Sequence, residues 1–153
     1  MNQKSTIATF FKRRASLFEQ IKDGAILISA NPLVLRNHDV EYQFRQDSSF
    51  WYFTGFNEPN AVALLRPNHE VPYVLFFEPT DAKSKLWTGK GITLDIAKNE
   101  YGADEAYPIR ELDSKLPTLL KNSKNIYYSL GTNHNLDKVI LDIIKNRRST
   151  VRH

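Results

Sequence analysis

The stretch YQFRQDSSFWYFTGFNEPNAV, Tyr42 to Val62, decides how the rest of this chain is read. It holds Tyr42, Phe44, Phe50, Trp51, Tyr52, Phe53 and Phe56, interleaved with Arg45, Gln46, Asp47 and two serines. In a strand, neighbouring side chains face opposite ways. FWYFTGF therefore reads as a strand, apolar on both faces and ending near Gly55, and such a strand is central and covered on both sides. On this reading the aromatics are mainly core. Arg45 and Asp47, just before the strand, form a structural brace. Both are expected to be partly buried, with Arg45 bonded to a carboxylate or to strand-end carbonyls, because an unpaired buried charge is costly.

Working outward, EPN gives a turn, since Pro59 presets φ and Asn60 tolerates turn geometry. AVALLR (61–66) and YVLFFE (73–78) read as strands joined by the hairpin signal PNHEVP. With the aromatic segment they make a three-strand meander. AILISA (25–30) reads as a buried strand, followed by a polar loop over 31–41. Upstream, Ile7, Phe10, Phe11, Phe18 and Ile21 share one stripe at helical spacing, with Leu17 beside it and Lys12, Arg13 and Lys22 outside it. Ser5 or Thr6 can cap that helix, and Asp23-Gly24 offers a stop. Downstream the spacing predicts a helix from Leu94 to Tyr101 stopped by Gly102. A second covers Ser114 to Lys121, with Leu116, Leu119 and Leu120 inward and Pro117 in its first turn, where proline is tolerated. NIYYSL (125–130) reads as a strand. Leu136, Val139, Ile140, Ile143 and Ile144 line a last helix opened by Asn133 or Asn135. This order implies an α/β fold, a mixed β-sheet flanked by helices.

Composition sets the limits. At 153 residues the chain reads as one domain, 1–153, with 41% hydrophobic and 25% charged residues. It has no cysteine, which removes disulfides, thiolate metal sites and cysteine nucleophiles together. MNQKSTIATFFKRRASLFEQ shows no continuous apolar run of the secretory type, and no stretch is apolar enough to span a bilayer. A cytoplasmic protein without membrane contact is the expectation. The net charge of +4 gathers toward the end of the chain, in NRRSTVRH. Lys138, Lys145, Arg147 and Arg148 are read as the solvated face of the last helix, where cations suit a helix C-terminus, in preference to a nucleic-acid surface.

Catalytic chemistry finds little footing. His38, His69, His134 and His153 show no metal-ligand spacing, so no metal site is expected. G-x-S-x-G and S-x-x-K are absent, and TGKGIT lacks the spacer of a phosphate loop. No catalytic residue is assigned. Trp87, in KLWTGKG, reads either as a binding hot spot beside mobile backbone or as cover for the core's edge.

The residues now carry a resemblance. YQFRQDSSFWYFTGFNEPNAVALL resembles the signature of the N-terminal domain of aminopeptidase P, the Xaa-Pro aminopeptidases. FKRRASLFEQIKDGAILISAN is similar to that domain's opening helix and first strand, and LWTGKG with YGADEAYPIREL to its later half. The resemblance covers roughly residues 8 to 130. It implies a fold like the creatinase and prolidase N-terminal domain, with no metal ligands of its own. It further implies a separate C-terminal pita-bread metallopeptidase domain that binds two manganese ions, and the chain is expected to end before it. The parent would be an enzyme that removes the N-terminal residue from peptides with proline second; this chain alone would be inactive. The implied partners are its own catalytic domain, further copies in an oligomer, and the parent's peptide substrates. Asp39, in HDVEY, matches an acidic residue near the family's active-site entrance. Trp87, with Gly89, matches a tryptophan that can reach a neighbouring subunit's active site, although Lys90-Gly91 departs from the basic pair or arginine usual there. The alternatives are a stand-alone interaction module of the same fold, and a nucleic-acid binder working through the basic last helix.

Overall fold

The computed structural model describes residues 3–32, 45–80 and 91–151, with side chains described over these ranges except 3–6 and 148–151. Helix α1 (Gln3–Gln20) leads into strand β1 (Ala25–Ser29). A short helix α2 (Ser48–Thr54) precedes strands β2 (Val62–Leu65) and β3 (Tyr73–Phe77). Then come α3 (Leu94–Tyr101), β4 (Glu105–Pro108), a 3-10 turn (Ile109–Glu111), α4 (Leu112–Leu119), β5 (Ile126–Tyr128) and α5 (His134–Val151).

The five strands form one mixed sheet in the order β4-β3-β2-β1-β5. β1, β2 and β3 pair antiparallel, whereas β5 joins β1 and β4 joins β3 in parallel. A meander is present, but its members are β1, β2 and β3. The strand expected over FWYFTGF is helix α2, and β4 was absent from the expected order.

β2 and β3 are buried along their whole length, as central strands covered on both sides must be. Alternation divides the core into two layers. Ile26, Ala63, Leu65, Tyr73, Leu75 and Phe77 face α1, α2 and α3. Ala25, Leu27, Val62, Leu64, Val74 and Phe76 face α4 and α5 through Leu112, Leu116, Leu120, Leu136 and Ile140. The result is a three-layer α/β/α sandwich, the mixed sheet with flanking helices read from sequence.

Two local readings shift. Phe11, placed on the buried stripe of α1, is 64% exposed, while Phe10 beside it is 7% exposed. α4 starts two residues earlier than Ser114, which puts Pro117 inside the helix, where its ring is exposed. The turns follow their residues: Asn60 (φ 59°) and Asn68 (φ 61°) take left-handed conformations, which asparagine tolerates better than most side chains. Asn133 opens α5, its Oδ1 accepting from the Leu136 N–H at 3.1 Å.

Candidate functional surface

The signature segment is helical because its ends dictate it. Asp47 caps α2, its Oδ2 accepting from the Phe50 N–H at 2.9 Å. Gly55 closes it at φ +64°, donating to the Trp51 carbonyl at 2.8 Å. A side chain at Gly55 would meet the Phe10 ring at 2.2 Å, so both the backbone angle and the close packing demand glycine. Burial then follows a helical rhythm. Phe50 and Thr54 point inward, while Trp51 and Tyr52 are 45% and 49% exposed. Those two aromatics are therefore surface, which corrects the expectation that this stretch is mainly core.

Gln46 is the hub below this helix. It is buried, and its Oε1 accepts from the N–H groups of Asn31 (3.0 Å) and Asp47 (2.9 Å). Its Nε2 donates to the carbonyls of Phe56 (3.3 Å) and Glu58 (2.8 Å). Asn31 adds bonds of its own, from Nδ2 to the Arg45 carbonyl and from the Asn60 N–H to its own carbonyl. The end of β1, the start of α2 and the turn before β2 are thus tied at one amide. Arg45, expected to be partly buried, is exposed, and what it gives the network is its carbonyl.

The other end of α2 is capped from α1. Arg14 is buried and donates to the Phe53 carbonyl at 2.8 Å, with its guanidinium 4.2 Å from the Tyr73 ring centre. Burial lowers its pKa, opposed by the neighbouring Tyr73 and Asp104 side chains, but a guanidinium stays protonated. Arg13 donates to the adjacent Tyr52 carbonyl at 3.2 Å. Cations on the last carbonyls of a helix suit its dipole. Arg13 also stacks 4.4 Å from the Tyr52 ring centre and 5.1 Å from that of Phe10, and Phe10 meets Trp51 edge-on at 5.7 Å. Phe10, Arg13, Trp51 and Tyr52 form a continuous aromatic ledge across α1 and α2.

Between β1, α2 and β5 lies a cleft of about 420 Å³, with Ile28 and Phe53 among its apolar lining and Ser29, Asn31, Asp47 and Thr132 among its polar lining. Next to it, Tyr128 donates to Asp137 Oδ1 at 2.6 Å, and the Gly131 N–H donates to the same carboxylate. Burial, then the bond to Asp137 and its negative charge, push the Tyr128 phenol's pKa up. Arg147, read from sequence as solvated, instead donates to the carbonyls of Leu120 and Ser123 at the end of α4. Among the described residues no group of three or more His, Asp or Glu could hold a metal ion. No described helix is long and apolar enough to cross a membrane. Asp39 and Trp87 lie outside the described residues. Next to the latter's segment, Thr80 and Ile92 bond through Thr80 N–H to Ile92 carbonyl (2.8 Å) and Ile92 N–H to Thr80 Oγ1 (3.2 Å).

A three-layer sandwich with this capped aromatic helix defines the class, and comparison with known proteins gives its family. The model of the aminopeptidase P N-terminal domain matches residues 10–127; the chain belongs to that family. It is 39% identical over 121 residues to the Xaa-Pro aminopeptidase of Haemophilus influenzae, covering 78% of this chain and 28% of that protein. With the Xaa-Pro aminopeptidase of Escherichia coli it shares 37% over 145 residues, covering 91% and 32%. The solved structure of Pseudomonas aeruginosa aminopeptidase PepP superposes with a TM-score of 0.81 at 38% identity, over 99% of this chain and 34% of that one. The chain spans about a third of the length of the curated relatives it matches.

Proposed function

We propose that this chain is the accessory, non-catalytic domain of a cytoplasmic Xaa-Pro aminopeptidase, shaping the active-site entrance through Asp39 and Trp87 and supporting the enzyme's oligomer. The reaction of the parent is metal-dependent removal of the residue that precedes proline. The observation that carries the reading is the family match over residues 10–127, joined to similarity with two enzymes named for that activity. A solved relative is described as a zinc-substituted Escherichia coli aminopeptidase P in complex with product. Among the described residues of this chain no cluster of His, Asp or Glu fits such a centre, and they carry no step of the chemistry on this reading. Two manganese ions belong, on this reading, to the parent's catalytic domain.

Two measurements test it. The 153-residue chain, incubated with Mn²⁺ and an Xaa-Pro peptide, is expected to release no amino acid; metal-dependent turnover above the blank overturns the non-catalytic role. Next, the chain is joined to the part of the Escherichia coli enzyme that it does not match. In that fusion, Asp39→Ala or Trp87→Ala is expected to reduce kcat/KM by about tenfold, the loss of one well-placed contact. Unchanged kinetics in both variants would remove these residues from the entrance.

A further inference from the structure

We infer that the accessible part of the ledge, Arg13, Trp51 and Tyr52 resting on the buried Phe10, is the seat on which the parent's catalytic portion docks, and that the docking surface presents a carboxylate to Arg13. This rests on the accessory-domain reading above. The ledge is already braced by contacts within the chain. Trp51 is held edge-on by Phe10, and Arg13 is fixed by two rings and the Tyr52 carbonyl. Docking there costs little further side-chain ordering. Exposed tryptophan and tyrosine around an arginine are the composition of interface hot spots.

Arg13 supplies the charge argument. Its guanidinium has five donors, yet among the described residues no carboxylate pairs with it. A rigid cation beside two half-exposed rings is a complement for an acidic group on a partner. The partner is chosen by the solved relatives. They contain this fold over 99% of the present chain and continue for the remaining two thirds of their own length, the chain covering 34% of each. A second copy of this chain fits less well, since a two-fold interface needs the patch to complement itself, and the four ledge residues include no carboxylate.

The experiment is hydroxyl-radical footprinting of the 153-residue chain and of its fusion to the unmatched part of the Escherichia coli enzyme. Covering the ledge is expected to slow oxidation of Trp51 and Tyr52 by about fivefold or more in the fusion, as burial at an interface centre does. Tyr127 and Leu141, exposed elsewhere, should oxidise equally in both. Arg13→Glu, or Arg13→Gln if the first fails to fold, should return most of the oxidation while leaving the far-ultraviolet spectrum intact. A fusion that cleaves Xaa-Pro peptides with Trp51 and Tyr52 as reactive as before keeps the accessory role and overturns the seat. A folded fusion with neither activity nor protection anywhere on this domain overturns both. Protection that appears in the unfused chain and rises with its concentration assigns the ledge to a second copy instead and also overturns the inference.

Discussion

Gln46 has all of its amide hydrogen-bonding capacity in use, two bonds accepted and two donated. Replacing it by leucine takes a partner from two carbonyls and two N–H groups, with the Phe56 carbonyl buried and the other three partly so. Gln46→Leu should therefore lose about 2–3 kcal/mol, read from denaturant midpoints; a loss under about 0.5 kcal/mol would show that water satisfies those groups. Tyr73 makes the opposite case. It is buried, and its hydroxyl has no hydrogen bond of good geometry, although the nearby Thr54 hydroxyl favours its ionised form slightly. Tyr73→Phe keeps the ring under Arg14 and removes an orphaned polar atom, so stability should hold or rise by up to about 1 kcal/mol. A clear loss in Tm would show that the hydroxyl is satisfied in solution. Neither role was visible in the sequence. A glutamine in FRQD reads like any loop amide, and nothing in KRRAS separates buried Arg14 from half-exposed Arg13, because burial of a single cation depends on a helix packed from 39 residues away.

At the scale of elements, α2 shows why the signature was misread. Seven residues with four consecutive aromatics satisfy a strand's preferences on both faces. The deciding signals were at the ends: Asp47 three residues before the first bonded amide, and Gly55 where the chain must turn left-handed. Asp47→Ala should cost about 1 kcal/mol through loss of the cap, seen as a lower unfolding midpoint with the same slope; a neutral result would mean that packing alone holds α2. Elements whose caps and stripes agreed were legible. α3 runs from Leu94 to Tyr101 and stops at Gly102, as its spacing predicted. β4 was not legible, because EAYP is too short to alternate recognisably and pairs only with β3, which is distant in sequence. The β2–β3 hairpin adds a titratable contact. His69 Nδ1 accepts the Val71 N–H at 3.0 Å, and its pKa is lowered by desolvation, then by the Arg66 charge, with Glu70 opposing. A lowered folded pKa favours neutral imidazole. The contact therefore contributes above about pH 6.5 and is lost as pH falls through the lower folded value. Proton NMR should place the His69 midpoint below about 6.5, with the Val71 amide moving in step; a midpoint above that would show that the imidazole does not hold the turn in solution.

The whole molecule responds to alkali through groups in separate places. Tyr73 sits in the layer under α1, Tyr101 ends α3 against Phe56, and Tyr128 joins β5 to α5. All three phenols have raised pKa values. Burial leads in each case; Asp104, Glu100 with Glu58, and Asp137 add to it in turn, while Arg14 opposes it at Tyr73. A raised folded pKa holds the proton more tightly in the native state than in the unfolded chain. The associated stability is therefore complete below the unfolded value of about 10 and declines as pH rises beyond it. Because the groups lie on both sides of the sheet, their ionisation is expected to loosen the sandwich as one unit, not as a fraying edge. Denaturant midpoints are expected to fall from about pH 10 upward, with tyrosinate absorbance from these residues appearing together with unfolding. Tyr128→Phe should make the decline shallower, since it removes the phenol that would otherwise ionise beside the Asp137 carboxylate. Midpoints that stay level while every tyrosine ionises near its ordinary value in the folded protein would show that these phenols are open to solvent, and the packing that sets them apart would have to be redrawn.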